Sequence, residues 1–169
     1  WGSYAYDAAN DVTRVKVKPV ALAVPVETFA IGVADIASNS ATLYLTWEKT
    51  RVPVKLEVDV VGTLVPQIEA VMASNAEKKP YFSAAMFYYA NNLDLDKALA
   101  WMDAGLAEQP KAFWMIYRQG LLLAKKGDKA GAIAAAQKSL DLVTNDPKAP
   151  PALKDEYTRL NHALIASLK

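Results

Sequence analysis

The fold of this chain is decided by the stretch Leu93-Asp94-Leu95-Asp96-Lys97-Ala98-Leu99, which recurs 34 residues later as Gly127-Asp128-Lys129-Ala130-Gly131-Ala132-Ile133. The correspondence continues downstream, where Leu106 matches Leu140. In both copies an aspartate stands where a helix N-cap belongs, since its carboxylate can accept from the free N–H groups of the first turn. The repeat therefore predicts two successive pairs of helices.

A period of 34 residues built from paired helices is the spacing of tetratricopeptide repeats. The second copy, 111–144, resembles that repeat in detail and has Gly120 where its two helices should pack closely. The first copy, about 81–110, ends on the expected proline, Pro110. We therefore expect two tetratricopeptide-like helix pairs, followed by a C-terminal helix that caps the open end of the array.

Before the helices, the chain alternates apolar and polar residues in the manner of strands. The apolar positions fall in four groups: Val15 and Val17; Phe29, Ile31 and Val33; Ala41, Leu43, Leu45 and Trp47; Val52, Val54, Leu56, Val58 and Val60. The corner at Glu48–Arg51 joins two strongly amphipathic groups, which predicts a hairpin there. Four strands with one apolar face make half of a β sandwich, and that face has to be covered.

These patterns predict an α+β protein. Residues 1–61 form a partial antiparallel β sandwich of about four strands, and residues 62–169 form the helical domain with its two repeat pairs and capping helix. The sequence supplies no further strands to complete the sandwich. We therefore expect the open sheet to pair with a protein partner, with a missing N-terminal β segment, or with a second copy in a homo-oligomer.

Composition excludes several classes of function. Lysine and arginine total 19 against 18 acidic residues, so the clustered basic excess of a nucleic-acid surface is missing. The chain has no cysteine and one histidine, so we expect no metal site and no cofactor. No apolar run approaches the roughly 20 residues that span a membrane, so we expect no membrane span.

One candidate site lies at the predicted corner, where Glu48 and Arg51 flank a short stretch beside Trp47. A polar pair next to an aromatic platform suits a sugar or peptide ligand. A purely structural alternative is a local ion pair that fixes the hairpin, which would contribute little at a surface. A third possibility is a glycan- or peptide-acting enzyme with Glu48 as its acid or base.

A second candidate site consists of aromatic residues in the repeats. Aromatic side chains at helical spacing usually belong to a core, where each buries a large apolar area. Some of these fall on both sides of their helix, however. Tyr81 with Tyr88, and Phe113 with Tyr117, could therefore line the surface where such repeats receive a partner.

Several motifs, spaced along the whole chain, resemble the bacterial family called domain of unknown function 2911. They are Trp1-Gly2-Ser3-Tyr4-Ala5-Tyr6-Asp7, Val15-Lys16-Val17-Lys18-Pro19, Trp47-Glu48-Lys49-Thr50-Arg51-Val52-Pro53-Val54, Ala112-Phe113-Trp114 and Glu156-Tyr157-Thr158-Arg159-Leu160-Asn161. The resemblance implies a β domain followed by a helical tail, in proteins that usually carry an export signal. It implies no established activity and no catalytic residues.

Members of that family typically have further strands before the segment that resembles residues 1–7. We therefore expect Trp1 to lie within a larger β domain. The function we expect is a non-catalytic, exported bacterial binding or assembly module, located in the periplasm, in the cell envelope or outside the cell. A structural subunit of an envelope or surface assembly is an alternative.

Overall fold

The structure, a computed structural model, describes residues 2–169. The start of the predicted motif at Trp1 lies outside the described residues. The chain divides into two compact units, the first ending at Thr63 and the second running from Leu64 to Lys169. The first unit holds the β-structure, and most of the helical residues lie in the second.

The described part of the first unit contains two strands, β1 (Val20–Ala34) and β2 (Ser40–Glu57), paired antiparallel. Two short 3₁₀ helices precede them, at Gly2–Ala5 and Ala8–Asn10. With the helices that follow, the α+β class is confirmed. The prediction of a four-stranded partial sandwich is wrong, because the described residues form a two-stranded sheet.

The predicted hairpin at Glu48–Arg51 is a bend within one continuous strand. Glu48 has a φ of 50°, in the left-handed region, and its neighbours on both sides remain in β2. The pairing register shifts between Ala21 and Val26 and again between Val26 and Ala30. Such irregularities bend a strand without reversing it, so two predicted strands are one.

The predicted strand around Val15 and Val17 is also absent from the described structure. Residues 12–19 have no regular secondary structure, and both valines are exposed. Alternation alone does not make a strand, because the ladder needs a partner strand to satisfy its N–H and C=O groups.

Helix α1 (Val60–Ala73) begins where Asp59 accepts a hydrogen bond of 2.7 Å from the N–H of Gly62. Pro66 lies inside this helix. Proline has no N–H, so one helical hydrogen bond is lost there. The helix nevertheless continues to Ala73, and Gly62 lies in its first turn.

Five further helices complete the second unit: α2 (Tyr81–Ala90), α3 (Leu95–Glu108), α4 (Phe113–Lys126), α5 (Lys129–Asn145) and α6 (Pro151–Ser167). Asp94 caps α3 by accepting from two first-turn N–H groups at 2.9 and 3.0 Å, and Asp128 caps α5 through the N–H of Gly131 at 2.9 Å. Both caps agree with the sequence prediction. Gly127 ends α4 with a φ of 92°, which glycine adopts without strain.

The core of the second unit lies between successive helices from α2 to α6. Its fully buried residues include Met102, Ile116, Leu122 and Val143. Gly120 marks a close approach of helices, since a Cβ atom there would lie 3.2 Å from Leu164 and 3.3 Å from the carbonyl oxygen of Ala132. The close packing predicted at Gly120 is confirmed.

Candidate functional site

The predicted corner residues lie along β2 but do not form one polar anchor. The Trp47 indole is exposed, and its Nε1 donates to the backbone oxygen of Glu27 at 3.1 Å. Arg51 donates from Nε to Thr46 Oγ1 at 3.3 Å. Among the described ion pairs, none joins Glu48 to Arg51. Glu48 has a φ of 50° and lies where the pairing register of the two strands is irregular.

Arg51 instead belongs to a polar cluster on one face of the β1–β2 sheet. Its guanidinium carbon lies 4.9 Å from the ring centre of Tyr44, within cation–π range. The Tyr44 hydroxyl donates to the Asp35 carboxylate, and this hydrogen bond raises the pKa of Tyr44. The cluster borders a shallow recess of about 260 Å³ lined also by Ala30, Gly32 and Ala34.

The aromatic candidates are mostly core residues. Tyr88, Phe113 and Tyr117 are buried, and only Tyr81 keeps a partly exposed ring. Tyr88 packs edge-on against Trp101, with their ring centroids 4.8 Å apart. The ring of Tyr157 packs edge-on against both Phe113 and Tyr117, with centroid distances of 5.0 and 5.8 Å. The prediction that these pairs line an open surface is corrected, because packing between helices encloses three of the four rings.

The most connected polar group of the helical unit was missed from the sequence. Glu69 on α1 accepts from Tyr88 on α2 at 3.0 Å and from Lys97 on α3 at 2.6 Å through the same oxygen, Oε1. One carboxylate thereby ties three helices together. The sequence contained one indication of this role, because Glu69 is the single charged residue of α1 and so stands out on an otherwise uncharged helix.

The charges of this group reinforce one another. The hydrogen bond from Lys97, with a second from Tyr88, lowers the pKa of Glu69. The hydrogen bond to Glu69 raises the pKa of Lys97, while burial and the same carboxylate raise the pKa of Tyr88. Near neutral pH the group is therefore held as carboxylate, ammonium and neutral phenol. This arrangement suits a structural connection better than proton transfer.

A second polar network, which unlike the Glu69 group is buried, joins the last three helices. Asn161, which is fully buried on α6, donates from Nδ2 to Ser139 Oγ at 3.1 Å and to the Tyr157 carbonyl at 2.7 Å. Ser139 donates in turn to the Phe113 carbonyl at 2.8 Å. Asn161 Oδ1 is buried and has no hydrogen-bond partner. The network fixes α6 against α4 and α5 at a definite register.

A groove of about 860 Å³ lies beside the C-terminal half of α5. Its apolar lining includes Pro110, Ala134, Leu142 and Pro147. Its polar lining consists of Lys111, Gln137, Lys138, Asp141, Asn145 and Asp146. A volume of this size is within the range of ligand pockets, and an apolar floor with a few polar groups is their usual composition.

Some polar side chains of the groove form hydrogen bonds within the chain, and others do not. Asp141 accepts from Gln137 at 3.0 Å, and Asp146 accepts from the N–H of Lys148 at 2.9 Å. The side chains of Lys111 and Lys138 take part in none of the hydrogen bonds or ion pairs found among residues 2–169. The two ammonium groups are therefore the ones available to a ligand. No sequence pattern singled them out, because isolated lysines are common on protein surfaces.

Residues 2–169 hold no group of three or more histidine, cysteine, aspartate or glutamate side chains that could hold a metal ion. None of the helices found in that range is both long and apolar enough to cross a membrane.

Comparison with known proteins bears on the first unit. Residues 1–56 match the family model described as protein of unknown function (DUF2911), which confirms the predicted resemblance over that part of the chain; the predicted motifs at 112–114 and 156–161 lie outside the matched residues. The matched residues include both strands up to the last residue but one of β2. A comparison with curated proteins found no match. The family brings no activity or site residues to this chain.

Proposed function

We propose that this chain is a non-catalytic, exported module for binding or assembly. Its two-stranded sheet, β1 with β2, is completed by a β segment from elsewhere. Its helical unit, which we interpret as a tetratricopeptide-like array, offers the α5 groove to a protein partner.

One observation carries the proposal: apolar residues of the two-stranded sheet lie open to solvent. Ile31 is 64% exposed, Val33 56% and Phe29 55%. Ile31 pairs with Leu45 and Val33 pairs with Leu43, so these four side chains share one face. A contiguous apolar face of this kind marks a place where another protein surface packs.

The size of the sheet supports the same conclusion. A two-stranded sheet alone is at best marginally stable in water, and three or more strands with a covered apolar face are needed for independent stability. The described residues supply two strands. A further β segment would therefore stabilise the unit as well as occupy the face.

Two further points support the other parts of the proposal. The best-connected polar group, Glu69 with Tyr88 and Lys97, is engaged in holding helices together, which favours a binding role over catalysis. Export is supported by the family resemblance, since family members usually carry an export signal.

Fluorescence of the dye anilinonaphthalene sulfonate, which binds exposed apolar surface, tests the open face. We expect the purified chain to enhance the dye, and the double change Ile31→Ser with Val33→Ser to remove most of that enhancement. The matched control changes Ala30 and Ala34 to serine, on the opposite face of the same strand. Little enhancement by the unchanged chain, or equal loss in the control, would contradict the proposal.

The groove is tested separately with N-acetyl dipeptide amides as probes, one of each pair carrying a free side-chain carboxylate. We expect amide NMR signals of Ala134 and Leu142 to shift, more strongly with the acidic probes because Lys111 and Lys138 are available. Lys138→Glu should reverse that preference. The control Lys129→Glu changes the same helix outside the groove lining and should leave it intact. Shifts confined to other helices would contradict this assignment.

A further inference from the structure

Arg51 on β2 is held in place by its neighbours, but its terminal nitrogens have no partner in the chain. Its Nε donates to Thr46 Oγ1 at 3.3 Å, and its guanidinium carbon lies 4.9 Å from the ring centre of Tyr44. Its two terminal nitrogens take part in none of the hydrogen bonds or ion pairs found among residues 2–169. The residue is half-buried. A guanidinium fixed in this way keeps a planar fork of N–H donors free for a ligand.

An unfilled recess of about 260 Å³ lies beside this fork. On its β1 side the residues that share one face are small, namely Ala30, Gly32 and Ala34, so no long side chain fills the space. A Cβ atom added at Gly32, which pairs with Tyr44 across the sheet, would meet nothing within 4 Å. The recess is smaller than the pockets of roughly 300–1,000 Å³ that enclose a whole small molecule. It therefore suits a single functional group of a ligand.

The hydroxyl groups around the recess differ in what remains free. Thr46 is 6% exposed and its oxygen accepts from Arg51, while its own O–H donates in none of the hydrogen bonds found among residues 2–169. The Tyr44 O–H, by contrast, is used by the Asp35 carboxylate. Among the described ion pairs, none joins Asp35 to Arg51. The recess thus offers one positive charge and free donors, which is the complement of an anion.

We propose that this recess binds a single carboxylate group. The two oxygens of a carboxylate match the planar fork of Arg51 through parallel N–H···O bonds, and the space over Gly32 admits the carbon chain that carries it. A doubly charged anion is disfavoured, because the Asp35 carboxylate is held at the hydroxyl end of the same Tyr44 ring. The site is on the opposite face of the sheet from Ile31, so it goes beyond the proposed function and does not depend on what covers the apolar face.

An NMR titration of the isotope-labelled chain at low ionic strength tests the inference. The probes are N-acetyl-glutamate methylamide and N-acetyl-glutamine methylamide, which have the same size and differ in charge. We expect the Gly32 amide signal and the Arg51 Nε–H signal to shift with the glutamate probe alone. Arg51→Gln should raise the dissociation constant of that probe about tenfold or more. Arg51→Lys, which keeps the charge but loses the fork, should lie between the two.

Two further variants separate the recess from general effects of charge. Lys55→Gln removes an exposed positive charge from the same strand, where Lys55 pairs with Glu57, and should leave binding unchanged. Gly32→Val fills the recess without touching Arg51 and should abolish binding. The strand has room for this side chain, and valine is favoured in strands, so the variant should stay folded by circular dichroism.

Propionate distinguishes a free acid from an acidic side chain as the source of the carboxylate. Binding of propionate as tight as that of the glutamate probe supports a site for small acids, and preference for the glutamate probe supports a site for acidic side chains. The absence of shifts with both acids overturns the inference. So do equal shifts with the glutamine probe, or with sodium sulfate at the same ionic strength. Unchanged binding in Arg51→Gln, or in folded Gly32→Val, also overturns it.

Discussion

The two units of this protein bury their apolar side chains to different extents. In the helical unit each helix from α2 to α6 packs on a neighbour, and residues such as Met102 and Leu122 are fully buried. In the β unit Ile31 and Val33 lie open to solvent. The helices cover much of one another's apolar surface, whereas the sheet leaves its apolar face exposed, and a two-stranded sheet alone is at best marginally stable in water.

The same contrast appears in the polar groups. Polar groups in the helical unit tie helices together, through the exposed Glu69 near its start and through the buried Asn161 near its end. In the β unit the best-connected polar group, Tyr44 with Asp35 and Arg51, is local to one face. Stability should therefore be concentrated in the helices, and interaction surface in the sheet.

The largest effect should come from making the same truncation in each unit. Ile116→Ala empties a buried site on α4 and should cost about 2–5 kcal/mol of unfolding free energy. Ile31→Ala removes an exposed side chain and should change it by less than about 0.5 kcal/mol. Urea unfolding followed by circular dichroism measures both. Comparable losses would show that the sheet is as well packed as the helices.

The buried network at the end of the helical unit should give the next largest effect. Asn161→Ala removes hydrogen bonds to Ser139 and to the Tyr157 carbonyl, and should destabilise the unit by about 1–3 kcal/mol. His162→Ala, at the adjacent exposed position, is the control and should be within about 0.5 kcal/mol of the unchanged chain. Similar thermal unfolding midpoints for the two variants would refute a role for the network.

A smaller effect is expected at the N-cap of α5. Asp128→Ala leaves the N–H of Gly131 without its acceptor and should cost about 1 kcal/mol. Asp128→Asn retains a side-chain oxygen and should restore most of the loss. Asp155→Ala, on the exposed side of α6, controls for the loss of a negative charge. Urea midpoints of the four proteins provide the comparison.

The smallest effect should be a dependence on pH that involves Glu69. Because the pKa of Glu69 is lower in the folded chain than its ordinary 4.5, its contribution to stability is present above pH 4.5. That contribution is lost as the pH falls through the folded-state pKa. Glu69→Gln should therefore be less stable than the unchanged chain near neutral pH, and the difference should shrink in acid. Glu77→Gln, at an exposed loop position, should show no such change.

Much of the helical unit was predictable because its signals are local. Asp94 and Asp128 cap the helices that follow them, and Gly127 ends α4 in the left-handed conformation. Burial of the aromatic residues was not predictable in the same way. Helix α2 is apolar around most of its circumference, so its sequence does not show which side faces the core.

The β unit was harder because strand pairing is not a local property. In the last two predicted strands, apolar residues are at odd positions from Ala41 to Trp47 and at even positions from Val52 onward. A hairpin and a local backbone irregularity both change the phase in this way, and the structure has the irregularity, with Glu48 at a φ of 50° inside β2. The stretch Glu48–Arg51 contains no glycine, asparagine or proline, which disfavours a tight hairpin turn. Long-range partners such as Glu69 and Lys97, which lie 28 residues apart, left a weaker signal.

The central claim is that the helices bury their apolar residues against one another, whereas the two-stranded sheet leaves its apolar face exposed. Hydrogen exchange of the dilute, monomeric chain, resolved by residue, tests it most directly. We predict strong protection of backbone amides in the buried parts of α4 and α5, and weak protection along β1 and β2 that rises when a further strand completes the sheet. Protection of the β1 and β2 amides equal to that of α4 in the isolated monomer would contradict the account.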